Sequence, residues 1–156
     1  MKITDILTER SVRVNLAGTT KDEIINAMIE LAASSERVVD KERMRTAIFD
    51  REKIMSTGVG SGFAVPHGKT DAVTDIVAAF AVTAQPIDYQ SLDDQPVRLV
   101  FLLVGRDTMV GPHIKLLSRI SRLMNKEEFR KKLLDAPDAA TVLALFRDEE
   151  AAYADA

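Results

Sequence analysis

The chain has 156 residues, no cysteine and a formal net charge of −3. The missing cysteine rules out disulfides, thiol nucleophiles and thiolate metal sites, and fits a reducing cytoplasm. The mildly acidic balance speaks against nucleic acid as a partner, because the basic cluster Arg130, Lys131 and Lys132 is flanked by Glu127, Glu128 and Asp135 and reads as a solvated helix face.

The length suits one domain with a full core, expected over 1–150, with 151–156 as a frayed tail. The opening "MKITDILTER" has neither the basic segment nor the apolar core of a signal peptide. No run reaches the roughly 20 apolar residues that span a bilayer, so direct membrane insertion is not expected and the cytoplasm is the default location.

In chain order, "TTKDEIINAMIELAASS" carries a capping box in Thr20 and Glu23, and then Ile24, Met28 and Leu31 at helical spacing. A second helix opens at Asp40. Met44, Ile48 and Arg51 follow at intervals of four and three, which points Arg51 inward at the last turn. "TDIVAAFAV" (74–82) and "PVRLVFLLVG" (96–105) have strand length, the second almost wholly apolar, as befits a central strand covered on both faces.

Between these strands, "QPIDYQSLDDQP" is bounded by prolines and reads as a loop with a short edge strand near Ile87. From Pro112 the pattern is helical through three segments, with Pro112 suited to a first helical position and Asn125 and Asp138 to N-caps. Helices before, strands between and helices after predict an α/β fold, a single mixed sheet flanked by helices on both faces.

The segment "STGVGSGFAVPHGKT" (56–70) raises the functional question, because it holds one of only two histidines between Pro66 and Gly68. It is not a nucleotide loop. Five residues separate Gly62 from Gly68, Pro66 lacks an N–H that such a loop uses, and "REKIMSTGVG" before it does not read as a strand. "GVGSG" has no helix directly after it, and "GSGFAV" is not a nucleophile elbow. Two histidines 46 positions apart lack the short-range pairing of zinc ligands, so neither a metal nor a cofactor is expected.

His67 as a phosphoryl acceptor is the remaining candidate, and it needs a fixed ring, close backbone and a cation. Gly58, Gly60 and Gly62 permit close turns, Pro66 and Gly68 fix the backbone, and Arg51 lies just upstream. His113 sits at an expected helix N-terminus and shares a face with Leu117, Ile120 and Met124. A histidine buried for packing is the plain alternative. A helix N-terminus disfavours imidazolium and welcomes an anion, which suits a neutral ring that donates to a phosphoryl oxygen. Ser56 and Thr57 are either further donors to that group or ordinary turn residues. Val59, Phe63 and Val65 are candidate partner contacts or core residues.

With these residues in view, the chain resembles the mannitol and fructose class of enzyme IIA domains of the bacterial phosphotransferase system, from about Ile3 to about Phe146. "DREKIMSTGVGSGFAVPHGKT" is similar to the family's active-site segment, and "HIKLLSRISRLM" to its second histidine segment. Phe63 and Pro112 depart from the usual pattern without removing a reacting group. The resemblance implies the mannitol-type enzyme IIA fold, His67 as phosphorylated histidine, and Arg51 and His113 as its assistants. It also implies HPr, or a nitrogen-branch counterpart, as phosphoryl donor. "DREKIMSTG" and "LDDQPVRLVFLLVG" look most like the nitrogen-regulatory branch, as does the lack of a fused IIB or membrane domain. A regulatory enzyme IIA is therefore expected, with its phosphorylation state setting which target it binds. The alternative is a sugar-transport subunit that passes phosphoryl to an enzyme IIB for fructose or mannitol-type uptake.

Overall fold

The computed structural model describes residues 1–154. Two 3₁₀ turns (Ile3–Asp5 and Glu9–Ser11) lead into β1 (Val12–Leu16), and α1 (Lys21–Ala32) and α2 (Lys41–Ile54) follow. Three short strands come next, β2 (Gly58–Gly60), β3 (Phe63–Ala64) and β4 (His67–Lys69). The long strands β5 (Val77–Ile87) and β6 (Val97–Gly105) precede α3 (Val110–Met124), α4 (Glu127–Asp135) and α5 (Ala139–Ala154).

Capping residues start the first two helices. Thr20 accepts the Glu23 N–H at 3.2 Å, while the Glu23 carboxylate turns to Thr19, so the reciprocal half of the expected box forms one residue early. Asp40 accepts the Arg43 N–H at 3.1 Å, and Asp138 accepts from Thr141 ahead of α5 as expected.

All six strands join one mixed sheet in the order β1-β5-β6-β3-β2, with β4 also paired to β6. β5 and β6 run antiparallel, whereas β1 is parallel to β5, and β3 and β4 are both parallel to β6. Period-two alternation splits the two long strands between faces. Ala78, Phe80, Val82, Leu99, Phe101 and Leu103 pack with α3, α4 and α5, and Val77, Ala79, Ala81, Val100, Leu102 and Val104 pack with α1 and α2. The expected single mixed sheet with helices on both faces is thus what forms.

Several boundaries differ from the sequence reading. The strand expected at 74–82 runs from Val77 to Ile87, and the edge strand near Ile87 is its far end, which pairs with Val97 after an irregularity. β1 was not expected. Asn15 in it takes a φ of 55°, and the register shifts there, so Val12 and Leu16 reach opposite cores. The glycine segment contains a strand after all, at Gly58–Gly60, folded against β3 through Ser61 and Gly62 in the left-handed region.

Pro112 is the third residue of α3, not the first, and is tolerated because that N–H has no partner within a helix. Asn125 ends α3 instead of capping α4, whose N-cap is Lys126. α5 continues through the expected tail to Ala154, and 155–156 lie outside the described residues.

Phe146 of α5 ties this layer to the sheet. It is fully buried, with its ring edge-on to Phe80 at 5.1 Å, Phe129 at 5.3 Å and Phe101 at 6.0 Å. Truncation to alanine leaves a cavity among three rings that cannot all move inward, so Phe146→Ala is expected to lower the free energy of unfolding by about 3–5 kcal/mol in a urea titration.

Candidate functional site

The site forms where β6 ends. β3 pairs with β6 at Leu99 and Val100, and β4 pairs with it again at Leu103, Val104 and Gly105. Val65 and Pro66 lie between. Pro66 has no N–H for a ladder, and its carbonyl accepts the Leu103 N–H at 3.1 Å. The Val65 carbonyl faces the His67 ring, 2.8 Å from Nδ1. A carbonyl only accepts, so Nδ1 carries the proton and the lone pair is on Nε2.

His67 is half-buried, and its pKa is held below the usual histidine value. Burial is the main cause. The bond to Val65 and the Glu52 carboxylate act in the opposite direction, while the charges of Arg51 and Lys69 push the value further down.

His113 stands in the first turn of α3, with its ring centroid 5.9 Å from that of His67. It is 1% exposed, and neither ring nitrogen has a hydrogen-bond partner among the described residues. Its pKa is pushed down to about 4, first by burial and then by the charges of His67 and Lys69. Gly105 makes room for this ring, since a Cβ there would come to 3.0 Å from His113 Nδ1. The expected inward face is therefore present, continued by Leu116, Ile120, Leu123 and Met124, with Leu117 at its margin.

Arg51 is not inward. The buried stripe of α2 runs through Met44, Ile48 and Glu52 at spacings of four, and Arg51 lies off that stripe, half-exposed. Its guanidinium donates to the Met55 carbonyl at 3.0 Å and stands close enough to His67 for its charge to be felt there. The structure thus gathers Arg51, His67 and His113 at one end of the sheet.

Ser56 and Thr57 are occupied elsewhere. The Ser56 hydroxyl donates to the Tyr89 carbonyl at 3.1 Å, and the Thr57 N–H and hydroxyl both go to the Glu52 carboxylate. This leaves neither hydroxyl proton for a phosphoryl group, and of the two readings of these residues the hydroxyls fit that of turn residues. Phe63 and Val65 are buried in the core under α3, α4 and α5, and only Val59 of the three candidate contacts is exposed.

Two residues of the site were missed. Lys69 follows His67 by two positions on β4 and so stands on the same side of the strand, a placement that period two makes legible. Glu52 was passed over because a carboxylate is rarely buried, although it is the next step of four after Ile48. Among the described residues, no group of three or more His, Asp or Glu is placed to hold a metal ion.

Two neutral rings, two nearby cations and an uncapped helix N-terminus make a site suited to an anion beside a nucleophilic nitrogen. Residues 5–149 match the family described as phosphoenolpyruvate-dependent sugar phosphotransferase system, EIIA 2, and the chain belongs to that family. Its members are phosphotransferases that carry phosphate on histidine.

The chain is 36% identical to the fructose-specific EIIA component of Haloferax volcanii, covering 91% of this chain and 94% of that protein. It is 35% identical to a nitrogen regulatory protein of Bradyrhizobium diazoefficiens, covering 93% and 94%. A fructose-specific EIIABC component of Bacillus subtilis is 34% identical over 96% of this chain, which spans only 24% of that longer protein. The crystal structure of nitrogen regulatory protein IIA-Ntr from Neisseria meningitidis superposes with a TM-score of 0.87 at 27% identity, covering 92% of this chain and 98% of that one.

The depressed pKa of His113 makes stability depend on pH. Unfolded, the ring takes up its proton near pH 6.5, but folded only near pH 4, so its contribution is complete above 6.5 and is lost as pH falls through that window. Glutamine cannot ionise. The urea midpoint of wild type is therefore expected to fall more steeply between pH 6.5 and 4 than that of His113→Gln.

Proposed function

We propose that His67 accepts a phosphoryl group on Nε2 from an HPr-type phosphocarrier of the phosphoenolpyruvate-dependent system. The observation that carries this is the bond from Nδ1–H to the Val65 carbonyl, which leaves the other nitrogen with its lone pair, beside a His113 ring whose nitrogens are unpartnered. The lone pair attacks phosphorus in line, the P–N bond to the carrier's imidazole breaks, and its electron pair returns to that nitrogen. The Nδ1 proton stays on His67, so no proton need move. Such transfer depends mostly on positioning and charge stabilisation.

Each assistant has a role of its own kind. Arg51 pairs with phosphoryl oxygens, and Lys69 adds a second positive charge from the same strand as His67. His113, kept neutral by burial, donates one N–H to a phosphoryl oxygen, which explains why its polar atoms are buried without a protein partner. The unit that does this is the single domain of 1–150, working in the cytoplasm. No helix among the described residues is long and apolar enough to cross a membrane.

The phosphorylated protein is a regulator whose partners are set by its phosphorylation state. The superposition on a nitrogen regulatory protein at a TM-score of 0.87 supports this reading. Phosphorylation adds about two negative charges at one loop, enough to make or break a contact without refolding. A sugar-transport role, with phosphoryl passed on to an enzyme IIB, is favoured by the 36% identity to a fructose-specific component. The two separate on one assay: phospho-protein mixed with a fructose-type IIB loses its label in the transport role and keeps it in the regulatory one.

With phosphoenolpyruvate, enzyme I and HPr, wild type is expected to acquire an acid-labile phosphohistidine, seen by phosphorus NMR, and His67→Ala none, while both remain folded. A labelled His67→Ala protein would refute the assignment. Arg51→Ala and His113→Ala should be labelled more slowly, by about a hundred- to a thousand-fold, the usual loss when one charge-stabilising donor is removed.

A further inference from the structure

Glu52 is a buried, charged residue that the mechanism above does not use. Its carboxylate accepts the Thr57 N–H at 2.7 Å, the Thr57 hydroxyl and the Tyr89 hydroxyl at 3.1 Å, and Lys21 Nζ stands 3.1 Å away. Lys21 also lies over the Tyr89 ring, 4.8 Å from its centroid. Its partners thus come from the start of α1, the connection after α2 and the connection between β5 and β6. Such a cluster is weak evidence of a stabilising role, because a buried ion pair recovers little beyond what taking its charges out of water costs.

What the cluster does fix is a path to the reacting ring. The Thr57 carbonyl accepts the Val65 N–H at 3.0 Å, and the Val65 carbonyl is the one that holds His67 Nδ1. The same turn carries Met55, whose carbonyl holds the Arg51 guanidinium at 3.0 Å. Both the nucleophile and its cation therefore hang on the segment 55–57, and Glu52 closes that segment through two bonds to Thr57.

We infer that Glu52 is a positioning residue for phosphoryl transfer: its buried carboxylate holds Thr57, and thereby the Val65 carbonyl that orients His67 and the turn that holds Arg51. The inference rests on His67 as phosphoryl acceptor. A carboxylate offers two acceptor oxygens, one to the Thr57 N–H and Lys21 and the other to the Thr57 and Tyr89 hydroxyls. Glutamine keeps the shape but loses the charge opposite Lys21, and with its one oxygen kept for the Thr57 N–H its NH₂ faces the two hydroxyls, which must turn to accept from it and so loosen the hold on Thr57.

The test compares wild type, Glu52→Gln and Thr57→Val, with folding checked by circular dichroism. Transfer is measured from phosphorylated HPr, and the His67 ring is read by ¹⁵N NMR without phosphoryl donor. Wild type should show one neutral tautomer, protonated on Nδ1. Glu52→Gln should show a mixture of tautomers, with turnover lower by about ten- to a hundred-fold, the range for small misplacements of a reacting group. The KM for the carrier should stay within about two-fold, as expected when only transition-state geometry is lost. Thr57→Val, which removes one link and leaves the carboxylate in place, should move both readouts the same way by less.

Wild-type turnover and a single Nδ1–H tautomer in folded Glu52→Gln would overturn the inference. Should Glu52→Gln fail to fold, the same result in Thr57→Val would overturn it. If wild type itself takes up no phosphoryl group, the acceptor assignment falls, and the tautomer comparison alone decides whether Glu52 orients the ring.

Discussion

β6 pairs along one edge with β3 and then β4, and the alternation of that pairing shapes the site. Gly62 and Pro66 face β6, their carbonyls accepting from Leu99 and Leu103, whereas Val65 faces the other way and gives its N–H to the Thr57 carbonyl. On that outer side β2 reaches only from Gly58 to Gly60. The Val65 carbonyl therefore has no strand to pair with, and the imidazole satisfies it. The open edge of a short strand thus becomes the device that chooses one tautomer.

The electrostatics of the site follow from the same placement. In the proposed transfer the His67 ring has to be neutral to react, yet the group it would receive is strongly anionic. Burial and the cations Arg51 and Lys69 both disfavour a protonated ring, and the cations with the α3 N-terminus favour the anion. One arrangement therefore answers both needs. The acid whose charge acts on His67 is Glu52, and its buried carboxylate is occupied by Lys21, Thr57 and Tyr89. It balances charge without competing for Arg51.

Much of this was legible in the sequence, and what was not has specific causes. The caps Thr20, Asp40 and Asp138 and the strand from Val97 announced themselves, since each is set by local chemistry or by an apolar run. His67 stood out because Pro66 and Gly68 flank it. β1 was missed although Val12, Val14 and Leu16 alternate with polar residues, the pattern of a half-buried strand. β2, β3 and β4 are only two or three residues long, and exist through pairing, β3 and β4 with distant β6 and β2 with β3, which local propensity does not report. Arg51 was placed one residue out because Ile48 is followed by side chains of the helix's face at both three and four, and the stripe took the fourth. The choice left open for Ser56 and Thr57 could not be made from sequence, because Glu52 and the Tyr89 carbonyl, which claim their hydroxyls, come from elements whose approach the local pattern does not show.

The pairing of Phe63 with Leu99 and of His67 with Leu103 also has a meaning in time. These are parallel contacts between segments 36 residues apart, made across a strand that appears late in synthesis, and such non-local pairings are slow to form. Before β6 has folded, nothing fixes the chain at Pro66, and before α3 has followed it, His113 is not beside the ring. A nascent chain that already contains Arg51 and His67 therefore has the residues of the site without its geometry. The arrangement is complete only when β6 and then α3 are in place, so the proposed chemistry belongs to the finished sheet and not to the segment that carries its residues.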